Sequence, residues 1–345
     1  MKKITWIDNA KAAAMFAIVL GHTLRGGAVQ SYVLSFHVPL FFLLSGCVFS
    51  TVKYQNFGAF VLHKIRTILL PYLLWGAVSA VIFYFLGRFA GTQLDVEVQT
   101  GLGYSLLALL YGNTTVFKLG FNLPLWFLPC LFAMQLWFYF IDRYVLARKN
   151  NIYIVTGSFL IFGILNQYVL HWYGLPFNLE NAWMMSFYFS IGLLLRQSKT
   201  YRKEAAFEWK TALAGAACIG AGAFVALQNS HIAYSWSLYG NYVLFLISSL
   251  LGCAGWILIA KQIPKNKILT WTGEGTLAIL VMHKFPIVFF QTIVPVAREA
   301  LALNRLWAAL PVSVLAVALC LIAKSIIMRW FPILLGGPLP HLKKH

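Results

Sequence analysis

Apolar runs of about 20 residues, the length a helix needs to cross the hydrocarbon core of a bilayer, recur along almost the whole chain. They fall roughly at 9–28, 31–51, 67–87, 123–141, 152–171, 182–196, 211–228, 238–260, 275–294 and 306–328. A segment in lipid must satisfy its own backbone polar groups, which a helix does internally. The runs therefore predict an all-α, polytopic membrane helix bundle of about ten transmembrane helices, forming a single domain over residues 1–345. Composition agrees. The chain is 60% hydrophobic and 10% charged, against roughly 25% charge in soluble globular proteins. That excludes a disordered chain and most soluble enzymes.

The charge is strongly basic: 27 Lys and Arg against 9 Asp and Glu, a formal net charge of +18. Such a balance also occurs in nucleic-acid-binding proteins. Here the basic residues sit in short clusters between apolar runs and alternate from loop to loop, so no nucleic acid is expected. Lys11, Lys53, Lys64, Arg66, Arg143, Arg196 and Lys261 fall on one side with most of the others; Arg25, Arg298 and Arg305 are among the few on the opposite side. Cytoplasmic loops carry such an excess, which predicts an N-in, C-in, multi-pass protein of the plasma membrane. Met1-Lys2-Lys3 opens like a signal peptide, but Asp8 and Lys11 interrupt the following run, so it reads as a retained first helix. The stretch 101–117 reads as re-entrant or interfacial, and 57–67, with His63, Lys64 and Arg66, as amphipathic. The segment 88–122, with Asp95 and Glu97, would lie outside as a partial lid. The five cysteines match no zinc or redox spacing and read as small core residues.

Polar groups inside a span are costly and are functional candidates by default. Asp8, Lys11, Met15, Ile18 and His22 step by three or four residues, so they share one helix face. His22 lies 11 residues beyond Lys11, about 16 Å along the axis. His37 precedes Pro39, whose missing N–H frees a carbonyl and distorts the helix. Ser45-Gly46 permits close packing. Lys64 and Arg66 stand at the interface, where they either meet anionic lipid or grip phosphates. Asn122 and Trp126 enter a span from the opposite side, and the ninth span carries Glu274, His283 and Lys284. For His22 and His37, helix packing and catalysis remain alternatives on position alone.

In order and spacing these segments resemble the integral-membrane acyltransferase family 3. The resemblance rests on Ile7-Asp8-x-x-Lys11, on the basic-x10-His spacing from Lys11 to His22, and on Phe36-His37-Val38-Pro39-Leu40-Phe41-Phe42 to Ser45-Gly46. It continues through Arg66 to Pro71-Tyr72, Leu125-Trp126-Phe127-Leu128 and the late segment ending at His283. The nearest subgroup is similar to the fucose 4-O-acetylase-like membrane O-acetyltransferases. The family often has Arg in the basic-x10-His motif; Lys11 keeps the charge but loses the two-pronged grip. The resemblance implies transfer of an acetyl group from cytoplasmic acetyl-CoA, a co-substrate, to a hydroxyl of an envelope carbohydrate or lipid-linked glycan. No metal is expected, and no fused extracytoplasmic domain. The oligomeric state stays open.

Acyl transfer to an alcohol needs a base near the hydroxyl and a stabiliser for the oxyanion. Histidine suits the base. His22, with His37 and Asp8, is the expected catalytic set, His22 serving as general base or as acyl acceptor. Asp8 is too far along the helix to touch His22; it pairs with Lys11 or orients a cytoplasmic group. Lys11, Lys64 and Arg66 are the expected coenzyme phosphate ligands. Trp126, Asn122, His283, Lys284 and Glu274 are the expected acceptor-binding residues. The rival reading is a transporter or flippase for a lipid-linked sugar, since buried histidines also suit proton-coupled transport.

Overall fold

The computed structural model of the protein describes residues 4–90, 102–113, 122–146, 151–203 and 206–338. Its α-helices are α1 (Thr5–Thr23), α2 (Gly27–Val48), α3 (Phe57–Lys64), α4 (Leu70–Ala90), α5 (Leu102–Tyr111), α6 (Phe127–Phe140), α7 (Asn151–Leu165), α8 (Leu179–Gln197), α9 (Trp209–Leu227), α10 (Tyr242–Gln262), α11 (Lys267–Glu274), α12 (Thr276–Met282), α13 (Lys284–Thr292), α14 (Pro295–Ala302) and α15 (Leu306–Trp330). Among the described residues the only β pairing is one bridge, between Ala233 and Leu238. The expected all-α membrane bundle is what the chain forms. The expected lid residues Asp95 and Glu97 lie outside the described residues.

Helix α1 is the axis of the bundle. It packs against α2, α10, α11, α12 and α15. Most of its residues are buried, including Asp8 and Asn9. Small side chains, Ala10, Ala12, Ala14, Ala17 and Gly21, let neighbours approach closely. The Asn9 Nδ2 donates to the carbonyls of Ala260 (3.2 Å) and Ile263 (2.8 Å). It thereby satisfies carbonyls at the end of α10 that have no intrahelical donor. A helix enclosed in this way need not be uniformly apolar. Among the described residues, seven helices are long and apolar enough to cross a membrane, or eight if α13 and α14, bent by 100°, form one span. The other members of the expected ten are α1, α8 and the segment 275–294. The first two carry polar side chains that face protein, and the third breaks at His283. Pro286, which has no N–H to continue the ladder, follows that break by three residues.

One other expectation changes. The stretch 57–67 is not a separate interfacial helix: α3 runs through a π-helical turn, Ile65–Leu69, into α4, giving a continuous helical span, Phe57–Phe85. The π turn falls where Pro71 would otherwise leave the ladder short of a donor. Helix α5, at 10 residues, is about 15 Å long and too short to cross. It packs on α4, with Tyr72 Oη donating to Leu109 O at 2.8 Å.

The basic loops converge at one end of the bundle. There the Lys261 ammonium sits 5.1 Å from the Trp6 ring centre, Lys64 lies 5.3 Å from Phe60 and 5.9 Å from Phe49, and Arg196 donates to the Phe49 carbonyl. At the opposite end Asn304 binds Arg25 N–H and the Gly26 carbonyl.

The tightest helix contact is between α2 and α8. A Cβ on Gly46 would sit 2.0 Å from the Phe189 carbonyl oxygen, and one on Gly192 would sit 2.0 Å from that of Leu43. Both obstacles are backbone and cannot rotate away. Gly215 and Gly222 of α9 meet Gly255 and Gly252 of α10 in the same manner, whereas Gly220 has nothing within 4 Å and is not a packing glycine. We expect Gly46→Ala and Gly192→Ala each to cost about 1–3 kcal/mol or more, read as a lower melting temperature of detergent-purified protein. Gly220→Ala should melt like the wild type; equal melting of all three would refute the contact.

Candidate active site

Lys11, Met15, Ile18 and His22, all on one face of α1, line a cavity of ≈ 470 Å³ inside the bundle. Lys11 stands toward the basic end. Near it the cavity wall includes Ser45 and Val48 of α2 and Thr67 and Ile68 of the π turn. His22 lies about 16 Å farther along α1, and His37 of α2 shares the wall with it. Beyond them Trp126 and the loop 231–236 close the far end. The lining is mixed: aliphatic and aromatic surface with a few convergent polar groups, the usual make-up of a small-molecule site.

Two imidazoles are fixed by their own helices. His37 Nδ1 lies 2.7 Å from the Val33 carbonyl, and His283 Nδ1 lies 2.8 Å from that of Ile279. A carbonyl only accepts, so both rings carry the proton on Nδ1 and a lone pair on Nε2. The Nε2 of His283 is buried with no hydrogen-bond partner. Its ring lies 5.3 Å from that of His22, tilted by 39°. The His37 ring meets Tyr234 edge-on at 5.7 Å, and Trp126 stacks on Tyr234 at 6.3 Å and 17°. Tyr234 Oη donates to Leu34 O at 2.7 Å and lies 3.4 Å from Ser35 O. Ser35 O is the carbonyl that Pro39, lacking an N–H, leaves without its helical donor. The bond to Leu34 O, one residue before the freed carbonyl, anchors the aromatic wall beside His37.

The family model described as an acyltransferase domain, of the acyltransferase family 3, matches residues 4–324. The chain belongs to this family. No curated protein and no solved structure matches it. The protein is therefore a multi-pass membrane acyltransferase, and family membership decides against the transporter reading. For an acyltransferase the relevant property of the cavity is that one partly open space joins a lysine near the basic end, the imidazoles of His22, His37 and His231, and an aromatic wall.

The remaining predicted site residues stand off that wall. Asp8 is buried at the start of α1, its backbone against Gly273 of α11. Asn122 Nδ2 donates to Ser79 Oγ (3.1 Å) and Val281 O (3.0 Å), tying the turn Leu123–Trp126 to α4 and α12, while its buried Oδ1 has no hydrogen-bond partner among the described residues. His283 reaches the site only through His22. Lys284 is half-buried at the start of α13 and Glu274 is exposed at the end of α11; these two and Asn122 are not among the residues that line the cavity. Lys64 holds its ammonium over Phe60 and Phe49, while Arg66 is exposed next to Thr67. Sequence reasoning missed Tyr234, Trp236 and His231. The available signal was their density in one short loop, His231-Ile232-Ala233-Tyr234-Ser235-Trp236.

A labelling experiment tests the shape of the cavity. The native cysteines are buried except Cys218, which is half-buried. In a Cys218→Ser background, Ser45→Cys and Thr276→Cys should react with a small charged thiol reagent, because both positions line the cavity and are only half-buried. Leu44→Cys, at a position 0% exposed on the same helix, should stay unreacted. Protection of the first two would contradict a solvent-reachable cavity.

Proposed function

We propose that this membrane acyltransferase moves an acetyl group from acetyl-CoA to a hydroxyl of an envelope carbohydrate, as the fucose 4-O-acetylase-like enzymes do, with His22 as general base. The observation that carries this reading is the single cavity with Lys11 at one end, His22 and His37 midway, and stacked aromatic rings at the other. The basic end faces the cytoplasm of the plasma membrane. There the coenzyme phosphates meet Lys11 and Arg66, Lys64 being held on its aromatic pair. The pantetheine arm follows α1 to His22. Trp126 and Tyr234 offer flat apolar faces to the C–H faces of a sugar ring.

In this scheme the His22 imidazole removes the proton from the acceptor hydroxyl as that oxygen attacks the thioester carbonyl carbon. The tetrahedral oxyanion collapses, the C–S bond breaks, and the imidazolium returns its proton to the departing thiolate. Neutral His283, its Nδ1 proton held by Ile279 O, presents an Nε2 lone pair beside the transient imidazolium. His37, fixed as the Nδ1–H tautomer, has its Nε2 lone pair to accept a hydrogen bond from an acceptor hydroxyl.

We expect His22→Ala to lower kcat for acetyl transfer by about 10²–10⁴ while the protein remains folded and monodisperse; full activity would remove His22 from the mechanism. Lys11→Ala and Arg66→Ala should raise the KM for acetyl-CoA, and Lys11→Arg should restore it. A donor KM unchanged in both alanine variants would place the phosphates elsewhere.

A further inference from the structure

Glu180 is fully buried in the first turn of α8 and does not line the cavity, so the scheme above gives it no task. Its carboxylate nevertheless gathers four donors. Oε1 accepts from Asn113 Nδ2 (3.2 Å), Gly174 N–H (3.2 Å) and Ser237 Oγ (3.1 Å), and Oε2 accepts from Leu175 N–H (3.2 Å). These donors come from three separate segments: the end of α5, the approach to α8, and the α9–α10 loop. Asn181, the next residue, extends the grip. Its Nδ2 donates to Tyr234 O (2.8 Å) and Ser237 Oγ (3.0 Å), and its Oδ1 accepts from Tyr239 Oη. The loop so held supplies the far wall of the cavity, with Tyr234 against His37 and Trp126.

Every partner of Glu180 is a donor, so the site requires a group that only accepts. A carboxylate does this; a glutamine would turn an N–H₂ toward at least one N–H or O–H donor. The alignment Glu180–Ser237 and Asn181–Tyr234–His37 runs from a buried anchor to the catalytic wall without a covalent link. A wall displaced by about 1 Å can cost on the order of 100-fold in a transfer rate.

We propose that Glu180 is a positioning residue for the acceptor: through Ser237 and Asn181 it fixes the 231–236 loop, and so sets whether a hydroxyl compound rather than water meets the acyl group. The inference rests on the function proposed above. It is tested in membrane vesicles carrying the full chain and supplied with acetyl-labelled acetyl-CoA. Label incorporated into membrane glycan is compared with label released as acetate by hydrolysis. In Glu180→Gln, and in Tyr234→Phe, which keeps the ring but loses the hydroxyl anchor, the ratio of incorporation to hydrolysis should fall about tenfold or more, with the KM for acetyl-CoA unchanged. A second measurement needs no turnover. Ile232 lines the cavity and is 4% exposed; Ile232→Cys in the Cys218→Ser background should be protected from a maleimide, and adding Glu180→Gln should speed its labelling about tenfold or more. An unchanged ratio, a parallel loss of both activities with a raised donor KM, or unchanged labelling would overturn the assignment. If the parent protein moves no acetyl group, the proposed function falls, and the labelling measurement alone decides whether Glu180 holds the loop.

Discussion

A polar side chain within the membrane must find a protein partner or a cavity, because lipid offers neither donor nor acceptor. Helix α1 brings several such groups into this bundle, Asp8, Asn9, Lys11, His22 and Thr23 among them, and its burial organises the rest. Asn9 fastens it to the end of α10, and Trp6 Nε1 donates to Tyr201 O at 3.0 Å, holding the loop after α8. Tyr201 in turn donates to Cys47 O at 2.9 Å at the end of α2. With its neighbours locked at that end, α1 turns Lys11 and His22 into the cavity inside the bundle. The α2–α8 contact through Gly46 and Gly192 keeps His37 on the same wall.

The chemistry follows from that enclosure. An acyl transfer is favoured where reacting groups are held in line and bulk water is kept away. The bundle supplies two rings with assigned protons, His37 and His283, around a third, His22. The two fixed rings share one local device: Nδ1 bonded to the carbonyl four residues back, with a proline two or three residues ahead. The prolines interrupt the backbone ladders, and the carbonyl that Pro39 frees, Ser35 O, lies 3.4 Å from Tyr234 Oη beside that hydroxyl's shorter bond to Leu34 O.

Much of this was legible in the sequence where the signal is local. The three-and-four spacing of Lys11, Met15, Ile18 and His22 does put these residues on one cavity-lining face; only Asp8 leaves it, because the cavity ends before the first turn of α1. The all-α membrane class followed from apolar length. Seven of the ten expected spans correspond to described helices long and apolar enough to cross; α1 and α8, also read as spans from the sequence, are largely enclosed by protein, and the segment 275–294 breaks after α12. Glu274, His283 and Lys284 are neighbours in the sequence, yet the break after α12 separates their surroundings: His283 is buried beside His22, Lys284 is half-buried and Glu274 is exposed. Contacts between distant segments were illegible: nothing local says that Glu180 meets Ser237, or that Tyr234 caps the carbonyls of α2.

The central claim is that an acyl donor whose anionic head stays at the basic end lays its sulfur beside His22. Cryo-electron microscopy of the full chain with coenzyme A bound tests this most directly. The account predicts phosphate density near Lys11 and Arg66 and the thiol inside the cavity, within about 3–4 Å of the His22 ring, as near-attack geometry requires. Coenzyme A seated outside the cavity, or with its thiol nowhere near His22, would contradict it.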